Sequence, residues 1–283
     1  MTNILNWPNE YRTFNVLGDI CKKYEKIKTD TLIQGIPVLC RLDGRAFHTF
    51  TKGLNRPFDE NLTTCMQETM KNVCDKFHAD LGYCQSDEIT LFWYNLGAFE
   101  GKVEKILSLL AAQATAKFNS MLPEYLPSKV NSLPVFDARI WQVPSIQMVF
   151  NTFLWRWMDA KKNSVSMYAS SFFSVKELNG KKTFERKQML VSINKPWEEL
   201  ENKFKYGSLC KKVEFEHTGI NKHTGEEEKS IRRKYMIIDV PEYTDIYNVE
   251  FNNYTDSKSI LSCDFINSLF LRSSIPNFDI LPL

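Results

Sequence analysis

The sequence lacks the features that would place it in a membrane, in a secretory pathway or among metal-knuckle proteins. No segment approaches the roughly 20 consecutive apolar residues of a membrane span, so no membrane helix is expected. The first residues, Met-Thr-Asn-Ile-Leu-Asn-Trp-Pro, carry no basic stretch followed by an apolar one, and no secretion leader is expected. The seven cysteines, at positions 21, 40, 65, 74, 84, 210 and 263, include no Cys-x-x-Cys pair. An odd count without framework spacing is the pattern of reduced thiols in a cytoplasmic protein. There is no Gly-x-Ser-x-Gly segment, which removes the nucleophile-elbow signal of a hydrolase. A charge of one sign is missing too: the formal net charge is +2, so only local clustering of basic residues can argue for nucleic acid.

What is present is enough apolar residue for a packed core, 43% of 283 residues, arranged with clear periods. Residues 36–42 read as a buried strand. Asp59 opens a helix in which Leu62, Met66, Met70, Val73 and Phe77 recur at helical spacing. Residues 81–94 alternate as a hairpin. Val103, Ile106, Leu110, Ala114 and Phe118 mark a second helix, expected to end at Pro123, and residues 133–143 a further strand. The order strand, helix, hairpin, helix, strand predicts an α+β fold with a ferredoxin-like core, the palm of many polymerases. Beyond Pro144 an aromatic helix (Phe150, Phe153, Trp155, Trp157) is expected to break near residues 161–163 and resume over 164–173. A short helix over 197–206 follows. A second hairpin is expected from 212–216 and 232–240, joined by a polar loop from His217 to Ser230. This divides the chain into a catalytic domain with helical additions (1–240) and a C-terminal extension (241–283).

Two segments carry the chemistry. Arg41-Leu42-Asp43-Gly44-Arg45-Ala46-Phe47-His48 closes the first strand with Asp-Gly, and Gln85-Ser86-Asp87-Glu88 forms the tip of the hairpin. Each alone is an ordinary turn. Together, if the strands are neighbours, they set Asp43 opposite Asp87, and two close carboxylates are most easily explained by divalent cations between them. Two-metal sites, with ions roughly 3.5–4 Å apart, serve in-line phosphoryl and nucleotidyl transfer. Gly44 lets a carbonyl or phosphate approach without a Cβ in the way, and the 44–48 stretch can offer backbone N–H groups to a triphosphate.

These motifs resemble those of the tRNA-His guanylyltransferase family: Arg-Leu-Asp-Gly-Arg-x-Phe-His-x-Phe, then Arg56-Pro57-Phe58-Asp59, then Tyr-x-Gln-Ser-Asp-Glu. Phe136-Asp137-Ala138-Arg139 and Trp155-Arg156-Trp157-Met158-Asp159 are further echoes, so the similarity spans roughly 36–215. The resemblance implies a reverse (3′–5′) polymerase that adds nucleotides to the 5′ end of an RNA with two Mg²⁺ ions. Asp43 and Asp87 would bridge the metals, with the Gly44 carbonyl as an added ligand and Glu88 as a lesser acidic position. Residues Asp43, Gly44, Arg45, Ala46, Phe47 and His48, with Ser86 and Asp87, would hold the nucleotide. The chain departs from the family where a His-x-Ile-Asn-Asn motif is usual: Lys161-Lys162-Asn163-Ser164-Val165 is closer to the Asn-Ser form of the guanylyltransferase-like subgroup of template-dependent repair enzymes. Lys161, Asn163 and Ser164 are therefore candidate RNA contacts. Cys84 stands where the family usually has glycine.

The implied partners are tRNA or another structured RNA, GTP, ATP and other nucleoside triphosphates, and further copies of the chain in a homotetramer, with aromatics of the 150–157 helix in subunit contacts. Readings of other classes are a nucleotidyl cyclase, which needs no tRNA, and an RNA-binding protein without catalysis. His217 and His223 have no cysteine at zinc-finger spacing. The basic pairs at 161–162, 181–182, 211–212 and 232–234 are surface patches that as a set hint at an RNA-facing stripe.

Overall fold

Strand β1 (Val38–Gly44) shows how the sequence builds two surfaces at once. Val38, Cys40 and Leu42 are buried on one side in a cluster with Ile89, Leu91 and Trp93, while Leu39, Arg41 and Asp43 alternate to the other. The computed structural model describes residues 30–220, 225 and 227–240, together with Lys22. β1 pairs with β3 (Glu88–Trp93) and β4 (Phe136–Gln142), β3 with β2 (Leu81–Gln85), β2 with β5 (Ser208–Ile220), and β5 with β6 (Glu227–Asp239). The result is one six-stranded sheet in the order β4-β1-β3-β2-β5-β6, antiparallel throughout.

Helices α2 (Glu60–Phe77) and α3 (Val103–Tyr125) cover the first side. Asp59 caps α2 by accepting the Leu62 N–H at 2.9 Å, a bond worth about 1 kcal/mol. The helix buries Cys65, Met66, Met70, Val73 and Cys74. A side chain at Gly82 would meet the Cys74 sulfur at 2.5 Å, so α2 lies directly on β2. The one-turn helix α1 (Phe47–Phe50) adds two rings to a cluster with Phe118 and Phe136.

The other side is covered by α4 (Ile146–Ser170), α5 (Val175–Leu178), α6 (Thr183–Ser192) and α7 (Asn202–Tyr206). Leu39, Tyr83 and Phe92 from the sheet meet Val149, Phe153, Trp157, Trp197 and Tyr206 there. Gly207, at φ +84, turns the chain from α7 into β5 where a Cβ would strike the Cys84 carbonyl at 2.5 Å.

The α+β class follows the sequence reading, with four differences. α4 is unbroken through residues 161–163, because Ala160, Ser164 and Val165 extend its buried stripe. α3 runs past Pro123 to Tyr125, and that proline sits exposed in the last turn, where it removes one hydrogen bond. The 197–206 segment is a 3₁₀ turn (Trp197–Glu199) followed by α7. Finally, His217 and Ser230 do not bound a loop. They face each other within the β5–β6 ladder, and that hairpin extends the main sheet through β2. The 241–283 extension, His223 and most of the first 35 residues lie outside the described residues.

Candidate active site

The end of β1 and the β2–β3 turn are tied by backbone. The Gly44 N–H donates to the Asp87 carbonyl at 3.0 Å, and in the strand register Asp43 stands opposite Glu88 on one side and Asp137 on the other. Ser86, at φ 54, makes the turn, and its hydroxyl donates to the Asp87 carboxylate at 3.1 Å. The Asp87 carboxyl is pushed above the usual carboxylate range, first by burial and further by the negative charge of Asp43. No cation lies within ion-pair distance of it among the described residues. Glu88 is likewise raised, chiefly by burial, with Arg156 and Arg41 pulling the other way.

Two guanidinium groups lie over this acidic end. Arg41 bonds the Asp43 carboxylate and reaches Glu88 at 2.5 Å. Arg156, from α4, donates to the second Glu88 oxygen at 2.9 Å and stacks on Trp155, 4.3 Å from its ring centroid. The Nε atoms of both arginines are buried without a partner among the described residues. Both arginines stand in the sequence motifs, yet their role as counter-ions is visible only once α4 is laid across the sheet.

Asp43 and Asp87 are hard oxygen donors, and Asp87 has no direct ion pair among the described residues. Among the described residues no three or more His, Cys, Asp or Glu side chains converge as a closed ligand set. A pair of carboxylates with open positions is what Mg²⁺ takes when water and substrate phosphates complete its shell, so the residues fit that ion.

The segment from Asp43 to His48 differs from expectation in the physical reason for its glycine. A Cβ on Gly44 would meet the Phe47 ring at 2.4 Å, so the space beside Gly44 is filled by a neighbouring side chain rather than left for a ligand. Phe47 is itself core. The N–H groups of Gly44 and Arg45 are bonded to the Asp87 and Val135 carbonyls, while Arg45, Ala46 (φ 58) and His48 are exposed. On α4, Asn163 donates to Asp159 at 3.0 Å. Ser164 is fully buried; its hydroxyl bonds the Lys161 and Lys205 carbonyls and accepts from the Trp197 indole N–H at 3.1 Å. That hydroxyl joins α4 to the Trp197 turn and offers nothing to a ligand. The part of α4 that meets the acids is Arg156, two turns earlier. Cys84 belongs to the opposite side of the sheet, in the cluster with Cys74 and Cys210, where burial raises its thiol strongly.

Residues 18–144 match the family model described as tRNAHis guanylyltransferase. A bacterial tRNA(His) guanylyltransferase-like protein solved with ATP is 36% identical at a TM-score of 0.63, over 70% of this chain and 87% of that one. The chain belongs to the tRNA-His guanylyltransferase family. It is a nucleotidyltransferase. A bacterial guanylyltransferase-like protein solved with GTP is 33% identical, at a TM-score of 0.62 over 78% of this chain and 90% of that one. The tRNA(His) guanylyltransferase of Saccharomyces cerevisiae is 26% identical over 215 residues, 68% of this chain and 89% of the yeast protein. An uncharacterized protein of Acanthamoeba polyphaga mimivirus is 29% identical over 246 residues, 75% of this chain and 80% of its own length. Among the described residues no helix is long and apolar enough to cross a membrane.

Proposed function

We propose that this nucleotidyltransferase adds nucleotides in the 3′–5′ direction to the 5′ end of tRNA or a tRNA-like RNA, directed by the opposite strand, as a 5′-end repair enzyme. The observation that carries the reading is the Gly44–Asp87 hydrogen bond, which holds the Asp43 and Asp87 segments together at one end of the sheet. Relatives solved with ATP and with GTP support nucleoside triphosphates as the second substrate. We read the β1–β4 sheet with α2 and α3 as a polymerase-type palm, since its order β-α-β-β-α-β is that of the split βαβ motif.

In this reading Asp43, Asp87 and the Gly44 carbonyl would hold two Mg²⁺ ions, whose charge would lower the pKa of an attacking hydroxyl and neutralise the triphosphate and leaving pyrophosphate. The chain's own residues do the rest. The Gly44–Asp87 bond fixes the spacing of the two carboxylates. Arg41 and Arg156 balance Glu88, so the acidic end does not repel a polyanionic substrate as three free carboxylates would. Arg45, Ala46 and His48 form the exposed turn against which the triphosphate lies, and Ser86 orients the Asp87 carboxylate. A 5′-monophosphate end is first adenylylated by ATP with release of pyrophosphate. The 3′-hydroxyl of the incoming nucleotide then attacks that 5′ phosphorus, its proton passing to solvent, and AMP leaves, or pyrophosphate where the RNA end is a triphosphate.

The deciding experiment incubates the protein with Mg²⁺, nucleoside triphosphates and 5′-truncated tRNAs that differ only in the templating base. Addition that follows Watson–Crick pairing is expected. Equal guanosine addition to every template would return the activity to single-guanosine transfer. Cyclic product without RNA would replace the reading by a cyclase. We also take the chain as a homotetramer. Of the four aromatics in the 150–157 stretch of α4, Phe150, Phe153 and Trp157 are buried within the subunit and Trp155 stays exposed for a contact. A light-scattering mass near 33.1 kDa would refute the assembly.

A further inference from the structure

Past Cys210, strand β5 leaves the main sheet. β2 pairs with it from Gly82 to Cys84, and from there to Ile220 β6 is the only strand beside it among the described residues. This arm extends roughly 33 Å at the usual strand rise.

Its two faces are unlike. Residues directly opposite in an antiparallel ladder share a face. On one face Arg233 bonds Glu214 at 2.5 Å and Lys229 bonds Glu216 at 3.2 Å, so the charges are paired off. The other face carries Lys211, Val213, Phe215 and His217 opposite Met236, Lys234, Arg232 and Ser230. None of those eight positions is acidic. The Lys234 ammonium lies 4.9 Å from the Phe215 ring centroid, and the Phe215 and His217 rings are 6.4 Å apart. Lys211, half-buried near Asp80, stands at the root. Arg232 and Lys234 are exposed.

That basic face lies on the same side of the sheet as the acids. Across the ladders Leu209 stands opposite Tyr83, Tyr83 opposite Thr90, and Thr90 opposite Arg41. This row is buried beneath the helices of that side, so the basic face and the acids emerge on either side of the helical cover. Along β5, Phe215 is seven residues past Ser208, which pairs at the level of the catalytic turn, a separation of roughly 23 Å. A nucleotide at the acids cannot reach both places, and an RNA helix can.

We infer that the Phe215, Arg232 and Lys234 face of the β5–β6 arm is the surface on which the body of the RNA substrate lies while its 5′ end sits at Asp43 and Asp87. This rests on the RNA reading given above. Arg232 and Lys234 contact phosphates without regard to sequence. Phe215 offers a ring on which a base stacks. The arm thus supplies affinity for RNA and none for the triphosphate.

The test compares two double variants of equal charge loss on opposite faces, Arg232→Ala/Lys234→Ala and Lys229→Ala/Arg233→Ala, with Phe215→Ala as a third. Fluorescence anisotropy with labelled tRNA at several salt concentrations reads affinity without turnover. The first double is expected to bind about tenfold more weakly, with the salt slope reduced by about one for each phosphate that is no longer neutralised. The second should stay within about threefold of the parent on this account. Phe215→Ala should lose severalfold at an unchanged salt slope. In turnover, KM for tRNA should rise while kcat and KM for GTP hold. Equal losses in both doubles would overturn the inference, as would a change in sedimentation without any change in RNA affinity. If the parent binds tRNA through this face yet extends no RNA, the inference stands and the proposed activity falls; extension without face dependence gives the reverse.

Discussion

The two sides of strand β1 obey different rules. Val38, Cys40 and Leu42 face α2 and α3, and all are fully buried among apolar neighbours. One residue over, Leu39, Arg41 and Asp43 face α4, and there burial is combined with charge. The first side is optimised for packing. The second keeps like charges close together and leaves two guanidinium Nε atoms without partners among the described residues, a cost that persists where the chemistry requires it.

The largest difference between the sides is expected at the acids themselves. Asp43→Ala and Asp87→Ala should each lower nucleotide addition on the order of a hundredfold or more, with circular dichroism almost unchanged. Retention of more than a few per cent of turnover by either variant would sink the two-metal reading. On the packed side the effects should reverse. Leu91→Ala, at a fully buried position of β3 opposite Cys40, is expected to cost about 2–5 kcal/mol in a urea melt, while the fraction that remains folded retains its turnover.

A smaller effect separates the sides by sign. Removing the charge at Asp87 with Asp87→Asn should stabilise the protein in chelator, where no cation offsets the repulsion. The folded-state pKa of this carboxyl is raised above 3.8, so the folded state holds the proton more tightly than the unfolded one. Stability conferred by that proton is present at low pH and is lost as pH rises through the raised folded value. Melting temperatures of wild type and variant should therefore coincide in acid and separate toward neutral pH, the variant melting higher. Mg²⁺ should raise the wild type and leave Asp87→Asn unmoved. A variant that melts lower at neutral pH would contradict the account.

How much of this could be read in the chain follows the same division. β1 to β4, α2, α3 and the aromatic part of α4 are marked by apolar periods, because burial on a defined face imposes them, whereas the short helices α5 and α6 are not. That the Asp43 and Asp87 segments meet is also legible, since both sit at strand ends that the element order makes neighbours, but the residue that stands opposite Asp43 in the register is Glu88 rather than Asp87. The β5–β6 arm is legible at its root, where 212–216 and 232–240 read as hairpin arms, but its far half from His217 to Ser230 is not, because polar and charged residues there resemble a loop. Arg41 and Arg156 lie more than a hundred positions apart, and nothing local in either segment tells that both serve Glu88. Ser164 misleads for the opposite reason: a hydroxyl in a basic run suggests RNA, and only its bond from Trp197 shows it turned inward.

The short β2–β5 ladder has a mechanical consequence. Among the described residues three ladder pairs and the Tyr235 hydroxyl bond to the Ala79 carbonyl fasten the two-stranded arm at its root, so its far half is a cantilever whose motion need not disturb β1. A ribbon with one neighbour per strand opens more readily than strands inside a sheet. Amide protons from Val213 to Ile220 should therefore exchange orders of magnitude faster than those of Val38 to Leu42. Such an arm can follow a long ligand as it shifts after each added unit, while the acids at the other end of the sheet stay where they are.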